Sequence, residues 1–261
     1  MQNQILFKET PVTFSDEGKG SAIVLLHGFL ENRHMWKDVS KELIKTHRVI
    51  CVDLLGHGET GCLGYVHSME LIAEAVHIVL KSLRLRKVCF VGHSMGGYVS
   101  LAFGEKYPET IKGLCLMNST AQADSEERKK LRLRANKMVQ TNYENMVRIS
   151  VANLFKKESL ELFNAQVQWV KEEALKTPLQ GYMACQEGMR IRLDRTSILS
   201  KVQNVLYIIG KYDPILNADK ITLEAKSLGA DFVVLSGGHM SHIENREELI
   251  NSLLTFVKAL R

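Results

Sequence analysis

The sequence lacks a long apolar run and any pair of cysteines in Cys-x-x-Cys spacing. No uninterrupted apolar stretch approaches the roughly 18 residues that a membrane-spanning helix needs, and residues 1–19 have no basic start followed by an apolar stretch. The five cysteines are odd in number and show no spacing typical of zinc or redox sites. These absences predict a cytoplasmic protein that does not bind membranes and whose cysteines are reduced core residues.

The positive charge is modest and is not focused into a continuous patch. The formal net charge is +5, and residues 120–195 carry most of the excess, with 14 Lys and Arg against 10 Asp and Glu. Residues 126–134 mix both signs with leucines, as an exposed helix face does. Nucleic acid is therefore excluded as the expected partner, which leaves a small molecule, anionic substrates included. Nothing in the sequence indicates an oligomeric state.

Apolar runs alternate with helical patterns along most of the 261 residues. The runs are mostly continuous from Ala22 onward, which is typical of strands buried on both faces of a parallel sheet. Helical periodicity separates them, so we expect an α/β fold with helices on both faces of a mostly parallel sheet. The predicted strands are Val12–Ser15, Ala22–Leu26, Arg48–Val52, Val88–Val91, Gly113–Met117, Val205–Gly210 and Phe232–Leu235. The predicted helices are Trp36–Lys45, Ser68–Leu83, Met95–Lys106, Ala218–Leu228 and Arg246–Leu260.

The alternation stops between the fifth and sixth of these strands, Gly113–Met117 and Val205–Gly210. About 80 residues there have helical character and no convincing strand. Apolar residues at spacings of three and four, such as Leu131, Ala135 and Val139, predict amphipathic helices that must cover something. We expect residues 119–199 to form a helical lid over the end of the sheet where ligands bind, with residues 1–118 and 200–261 forming the core.

The strongest local motif is Gly92-His93-Ser94-Met95-Gly96, which follows a predicted strand and opens a predicted helix. This G-x-S-x-G pattern is a nucleophile elbow, in which glycines leave room for a sharp turn that projects the serine hydroxyl. Ser94 is therefore the predicted nucleophile. A serine hydroxyl needs a base to take its proton and an acid to orient that base.

Two turns after later strands supply the base and the acid. His239 follows two glycines after the seventh predicted strand, and Asp213 follows the sixth. The order Ser94, Asp213, His239 is the one expected for this arrangement. His242 is a rival for the base, and a metal site built from His239, His242 and Glu244 is a further alternative. The hydrolase interpretation explains the region without a metal or an organic cofactor, and we expect neither.

Backbone amides must also stabilise the negative charge that develops on an attacked carbonyl. We expect those donors to be Met95, directly after the nucleophile, and Phe29, in the loop His27-Gly28-Phe29-Leu30 after the first buried strand. His27 fits a structural role better than that of a base. The same loops predict substrate contacts from Phe29, Leu30, Met95 and Met240. Candidates for lid residues facing the substrate are Trp169, Phe155, Met146 and Met183.

Together these motifs resemble the α/β-hydrolase superfamily, especially its small lidded esterases and carbon-carbon bond hydrolases. The resemblance covers nearly the whole chain and also includes Asp53-Leu54-Leu55-Gly56-His57-Gly58. It implies that Asp53 lies in a structural, pocket-shaping loop and is not catalytic. The sequence departs from the family where proline is common, at Leu55 and near Arg246, and where serine is common, at Thr60. None of these positions belongs to the predicted triad.

The leading hypothesis is hydrolysis of small to medium carboxylic esters through an acyl-enzyme. Two alternatives stay open. One is cleavage of a carbon-carbon bond, or a related elimination, in an anionic ketone acid, although Tyr98, just past the elbow, supplies no guanidinium for a carboxylate. The other is a non-enzymatic ligand receptor or signalling protein that keeps a hydrolase pocket.

Overall fold

A computed structural model describes residues 2–260 and places eight strands in one sheet. The order across the sheet is β1-β2-β4-β3-β5-β6-β7-β8; β2 pairs antiparallel with β1 and β4, and all other pairs are parallel. This arrangement confirms the predicted mostly parallel sheet. The strands are β1 (Gln2–Phe7), β2 (Thr10–Glu17), β3 (Ala22–Leu26), β4 (Arg48–Val52), β5 (Val88–His93), β6 (Ile111–Met117), β7 (Val205–Gly210) and β8 (Asp231–Leu235).

Helices cover both faces of the sheet. They are α1 (Lys37–Leu43), α2 (Met69–Ser82), α3 (Met95–Lys106), α4 (Glu126–Met138), α5 (Tyr143–Ala152), α6 (Ser159–Leu162), α7 (Asn164–Leu175), α8 (Leu179–Arg190), α9 (Thr196–Leu199), α10 (Ala218–Ser227), α11 (Ser241–Glu244) and α12 (Arg246–Ala259). Within residues 2–260, no helix has both the length and the apolar character needed to cross a membrane.

Two hydrophobic clusters hold the helices on the sheet. Alternate residues of a strand point to opposite faces. Val24 of β3 therefore belongs to a cluster that includes residues of α2, α3 and α10, whereas Ile23 belongs to a cluster that includes residues of α1 and α12. Every residue of β3 and β5 is buried, because helices cover both sides of these central strands. The continuous apolar runs seen in the sequence are the result.

The six helices α4 to α9 all lie between β6 and β7, within residues 119–199, and we call this range the inserted segment. A third hydrophobic cluster lies mainly in this segment and includes Val147, Val167 and Tyr182, together with Leu30 and Met240 from the loops after β3 and β8. The inserted segment therefore packs on the loops that follow the strands. The division of the chain into core and lid domains stays a prediction.

One strand was not predicted from the sequence. The edge strand β1 pairs antiparallel with β2 from Gln2↔Ser15 to Phe7↔Thr10. Its residues alternate between exposed and half-buried, and only Phe7 is buried. An edge strand that is covered on one face needs no continuous apolar run, so its sequence does not show the pattern by which the other strands were predicted.

Candidate active site

Ser94 lies in a strained turn between β5 and α3. Its backbone has φ 49° and ψ −112°, a left-handed conformation that is rare for residues other than glycine. A Cβ atom added to Gly92 would lie 2.5 Å from the carbonyl carbon of Gly96. A Cβ atom added to Gly96 would lie 2.3 Å from the carbonyl oxygen of Leu26. The close backbone approach therefore explains the glycines of the motif.

Asp213 and His239 meet at the same end of the sheet. His239 Nδ1 donates to Asp213 Oδ2 at 2.6 Å, and Asp213 Oδ1 accepts from the amides of Ile215 at 2.8 Å and Leu216 at 3.0 Å. Burial alone would raise the pKa of Asp213, but the charge and hydrogen bond of His239 and these two amides lower it. An ionised Asp213 holds the His239 proton on Nδ1, which leaves Nε2 to exchange protons.

Asn118, directly after β6, is a further contact of this pair that the sequence did not single out. Its Nδ2 donates to Asp213 Oδ2 and to the Gly238 carbonyl, both at 3.1 Å, and its Oδ1 accepts from Ser241 Oγ at 2.7 Å. Asn118 thus ties the acid to the turn on each side of His239. The only feature of the sequence that could have identified Asn118 is its position directly after an apolar strand, at the sheet edge where Ser94 and Asp213 also lie.

Ser94 and His239 both line a cavity of about 320 Å³ between the sheet and the inserted segment. Phe29 and Leu30 form part of its wall, in agreement with their predicted position. The inserted segment contributes polar, apolar and cationic side chains. These residues are Arg128, Leu131, Arg132, Ala135, Ser150, Asn153, Leu154, Gln186 and Met189.

Other residues predicted to contact substrate lie elsewhere. The side chains of Met95 and Met240 are fully buried in hydrophobic clusters and do not line this cavity. None of the four candidates from the inserted segment lines it either: Phe155 is buried, Met146 and Met183 pack against the third cluster, and Trp169 is 44% exposed. Helical periodicity identified apolar faces but could not say which one meets the cavity.

The two predicted oxyanion donors have free amides. Within residues 2–260, neither the Phe29 nor the Met95 amide donates a hydrogen bond to another group. The neighbouring Leu30 amide, in contrast, is bound to His57 Nε2 at 3.1 Å, and Leu30 adopts φ 64°. The turn thus leaves the Phe29 amide available for a ligand.

A buried ion pair lies behind this turn. Glu31 Oε2 accepts from the Gly28 amide at 2.7 Å and from His93 Nδ1 at 2.6 Å, while His93 Nε2 donates to the His239 carbonyl at 2.9 Å. Both ring nitrogens of His93 face acceptors, so the ring is an imidazolium. Burial would lower the pKa of His93, but the charge and hydrogen bond of Glu31 raise it. This pair was not predicted from the sequence.

The rival base His242 does not contact Asp213. It is buried, its two ring nitrogens have no hydrogen-bond partner in residues 2–260, and its Nε2 lies 3.8 Å from Glu31 Oε1. Burial lowers its pKa to about 4. It is absent from the wall of the Ser94 cavity. The geometry therefore favours His239.

Glu244, which one alternative from the sequence made a metal ligand, accepts hydrogen bonds from backbone amides instead. Its Oε2 accepts from the backbone amides of Gly238 at 2.9 Å and Met240 at 3.1 Å, and its Oε1 accepts from the backbone amide of Lys156 at 3.1 Å. The carboxylate thus ties the His239 turn to the inserted segment. Across residues 2–260, no group of three or more His, Cys, Asp and Glu side chains could hold a metal ion.

His27 and Asp53 hold loops in place. His27 Nδ1 donates to the Gly28 carbonyl at 2.7 Å, and its Nε2 accepts from the Leu54 amide at 2.9 Å. Asp53 is fully buried, forms a salt bridge with Arg33 and accepts from the Arg33 amide at 2.7 Å. Both side chains are occupied by contacts within the protein.

Residues 21–246 match the family model for the alpha/beta hydrolase fold. The chain is 24% identical over 261 residues to a pimeloyl-[acyl-carrier protein] methyl ester esterase of Aliivibrio fischeri, with 95% of this chain and 98% of the relative covered. It is 26% identical over 257 residues to a 2-hydroxy-6-oxo-6-(2'-aminophenyl)hexa-2,4-dienoic acid hydrolase of Metapseudomonas resinovorans, with 94% and 86% covered. Uncharacterized mycobacterial relatives match over only 31% of their length.

Solved structures show the same fold over the whole chain. A thermophilic esterase from Thermogutta terrifontis, solved with malate bound, superposes with a TM-score of 0.93 at 28% identity and covers 100% of this chain and 99% of its own. The order of the strands, the strained serine after β5 and the match to the family model all indicate the same fold. The chain therefore belongs to the α/β-hydrolase fold family.

Proposed function

We propose that the protein is a serine hydrolase that cleaves small to medium carboxylic esters through an acyl-enzyme. The observation that carries this proposal is the 2.6 Å hydrogen bond from His239 Nδ1 to Asp213, made by a histidine that shares one cavity wall with the strained Ser94. A pure binding protein has no need for a serine in a strained turn beside an oriented histidine.

In the proposed reaction, His239 Nε2 takes the proton of Ser94 as Oγ attacks the ester carbonyl. Asp213 keeps the other imidazole proton on Nδ1 and stabilises the imidazolium. His239 then protonates the leaving alcohol, and the acyl group stays on Ser94. A water molecule, deprotonated by His239, releases the acid and restores the serine.

Two backbone amides are proposed to stabilise the oxyanion. Phe29 and Met95 have amides without other partners in the described chain, and one such donor is typically worth about 3 kcal/mol in the barrier. For substrate contact we retain the side chains of Phe29 and Leu30, which line the cavity. Met95 then contributes through its amide alone.

Removal of the nucleophile tests the proposal. Ser94→Ala should abolish turnover of short p-nitrophenyl esters and covalent labelling by a fluorophosphonate, while circular dichroism stays that of the wild type. Ser252→Ala, on the far helix α12, is the matched control and should keep both activities. If Ser94→Ala keeps wild-type rates, the assignment is wrong.

The two histidines are distinguished by a second comparison. His239→Ala should lower kcat by about a thousandfold or more, whereas His242→Ala should have a much smaller effect, because His242 has no contact with Asp213. A greater loss in His242→Ala would move the role of base to that residue.

A second candidate function is cleavage of a carbon-carbon bond in an anionic ketone acid. Two arginines, Arg128 and Arg132, on the cavity wall favour an anionic substrate, and the Metapseudomonas relative is named as a hydrolase of a dienoic acid. Assays of vinylogous diketone acids beside esters decide between the two. Faster turnover of the diketone acids would replace the ester proposal.

The third hypothesis, a ligand receptor, predicts a different pattern. A receptor that kept the pocket would react once with a fluorophosphonate but turn over esters far more slowly, and it would retain a partner protein in pull-downs. Repeated turnover that depends on Ser94 would reject it.

A further inference from the structure

The wall of the Ser94 cavity is positively charged. Its charged side chains are Arg128, Arg132 and His93, whose imidazolium is paired with the buried Glu31, and no Asp or Glu of the described chain lies on it. The other lining side chains are neutral or apolar apart from the imidazole of His239. A cavity with cations on its wall and no carboxylate attracts an anion, because the low-dielectric walls concentrate the field.

Arg132 is fixed in position by the protein. It is buried, its Nε donates to Asp124 Oδ2 and its Nη1 donates to Gln186 Oε1 at 2.8 Å. Asp124 also forms a salt bridge with the buried Arg192, whose guanidinium lies 3.9 Å from the ring centre of Tyr98. One carboxylate therefore serves two arginines, and this buried group keeps an excess positive charge beside the cavity.

Arg128 lies one turn before Arg132 on the same face of α4, and its charge is not compensated. In residues 2–260 its guanidinium forms no salt bridge and no hydrogen bond; the only bond of this residue outside the helix ladder joins its backbone amide to Ser125 Oγ at 3.3 Å. The adjacent Lys129, in contrast, pairs with Glu126 at 2.8 Å. A half-buried guanidinium without a partner on a ligand cavity is available to bind a ligand.

We infer that Arg128, supported by Arg132, binds a carboxylate carried by the substrate, so that the preferred substrates are esters with a free acid group. This inference rests on the proposed ester hydrolysis and specifies its substrate class. A guanidinium binds a carboxylate through two parallel hydrogen bonds. The partly enclosed cavity makes this pair stronger than an exposed one.

The test compares acidic esters with neutral esters of similar shape. Monomethyl adipate and methyl heptanoate differ in the acyl part, and 4-acetoxybutyrate and pentyl acetate differ in the alcohol part. Hydrolysis is followed by pH-stat titration at low ionic strength. For at least one pair, kcat/KM of the acid should exceed that of the neutral ester by about tenfold or more, as expected for a charge-assisted hydrogen bond.

Variants of Arg128 locate the origin of the preference. Arg128→Gln should lower the acid-to-neutral ratio by about tenfold, and Arg128→Lys should keep part of it, because the charge stays and the two-point geometry is lost. Arg134→Gln removes the same charge from an exposed position of α4 and should leave the ratio unchanged.

The outcomes separate this inference from the function on which it rests. Turnover of the neutral esters with ratios near one in the wild type would overturn the inference and leave the ester hydrolase intact. Equal losses of the ratio in Arg128→Gln and Arg134→Gln would also overturn it, since the effect would then be a general one of net charge. Failure to hydrolyse any of the four esters would overturn both.

Discussion

The Glu31 carboxylate accepts a 2.6 Å hydrogen bond from His93, the residue directly before the predicted nucleophile. The same oxygen accepts from the Gly28 amide at 2.7 Å, and the opposite side of the His93 ring reaches the His239 carbonyl at 2.9 Å. One buried ion pair thus joins the loop after β3, the serine turn and the histidine turn. No side chain of the proposed triad is involved, so the pair positions the site through backbone.

Neutralising Glu31 should weaken both the fold and the reaction. In Glu31→Gln, the buried His93 loses its counter-charge, and we expect a loss of about 1–3 kcal/mol in the free energy of unfolding. We also expect kcat to fall by about tenfold or more, because small displacements of reacting groups are costly. Urea unfolding and ester kinetics measure the two effects.

A partly exposed carboxylate at the surface provides the control. Glu42 forms only a surface salt bridge with Lys45, so Glu42→Gln should change unfolding by no more than about 0.5 kcal/mol and leave kcat unchanged. If Glu31→Gln behaves like Glu42→Gln, the ion pair has no positioning role.

Asn118 should matter for turnover through Asp213. Asn118→Ala and Asn118→Gly both remove the bonds to Asp213, Gly238 and Ser241. The backbone of Asn118 has φ 45°, which alanine tolerates poorly and glycine readily. We expect kcat to fall about tenfold in both variants, and stability to fall further in Asn118→Ala, as checked by ester kinetics and thermal unfolding.

The glycine variant separates bonding from backbone strain. Wild-type kcat in Asn118→Gly would mean that the three side-chain bonds do not support the site. Asn251→Ala, at an exposed position of α12, controls for loss of an amide side chain and should have no effect on kcat.

Much of the fold could be predicted because its signals are local. Residues 88–91 of β5 form a continuous apolar run, and Gly92 is required by its close approach to the backbone of Gly96, four residues later. Asp213 was predicted because it lies three residues after the end of a recognisable strand. The contact between Glu31 and His93 joins a loop residue to the last residue of β5, 62 positions later, so only the folded chain reveals it.

The substrate-facing side of the inserted segment was unpredictable for a related reason. The spacing of Leu131 and Ala135 gave the apolar face of α4, and both residues line the cavity. Whether this face, with Arg128 on it, meets the cavity or solvent depends on how α4 rotates when it packs against α8. Helical periodicity does not determine that rotation.

Asp53 should contribute to stability and not to catalysis. Its carboxylate is fully buried, pairs with Arg33 and accepts from the Glu59 amide at 3.0 Å. Asp53→Asn leaves the buried Arg33 with only the half-exposed Glu59 as a charged partner, and we expect a loss of about 3 kcal/mol in the free energy of unfolding. Urea unfolding measures this loss. A large fall in kcat of the folded variant would contradict the structural role.

Acid should destabilise the protein before its carboxylates titrate, because several buried histidines are kept neutral. Burial lowers the pKa of His57 to about 3 and the pKa values of His67 and His242 to about 4, all from 6.5. Between pH 6.5 and 4 the unfolded chain binds protons that the folded chain does not, so stability falls as the pH falls. The raised pKa of His93 acts in the opposite direction, since its contribution is present below pH 6.5 and is lost only at higher pH.

Urea unfolding at pH 7.0, 5.5 and 4.5 tests this prediction, with the free energy of unfolding expected to decrease at each step. His57→Gln retains an acceptor for the Leu30 amide and removes one titrating group, so the slope should decrease by about 1.4 kcal/mol per pH unit below pH 6. His34→Gln, at an exposed position, is the matched control for loss of an imidazole. Stability that does not change from pH 7.0 to 4.5 would show that these histidines become protonated without cost to the fold.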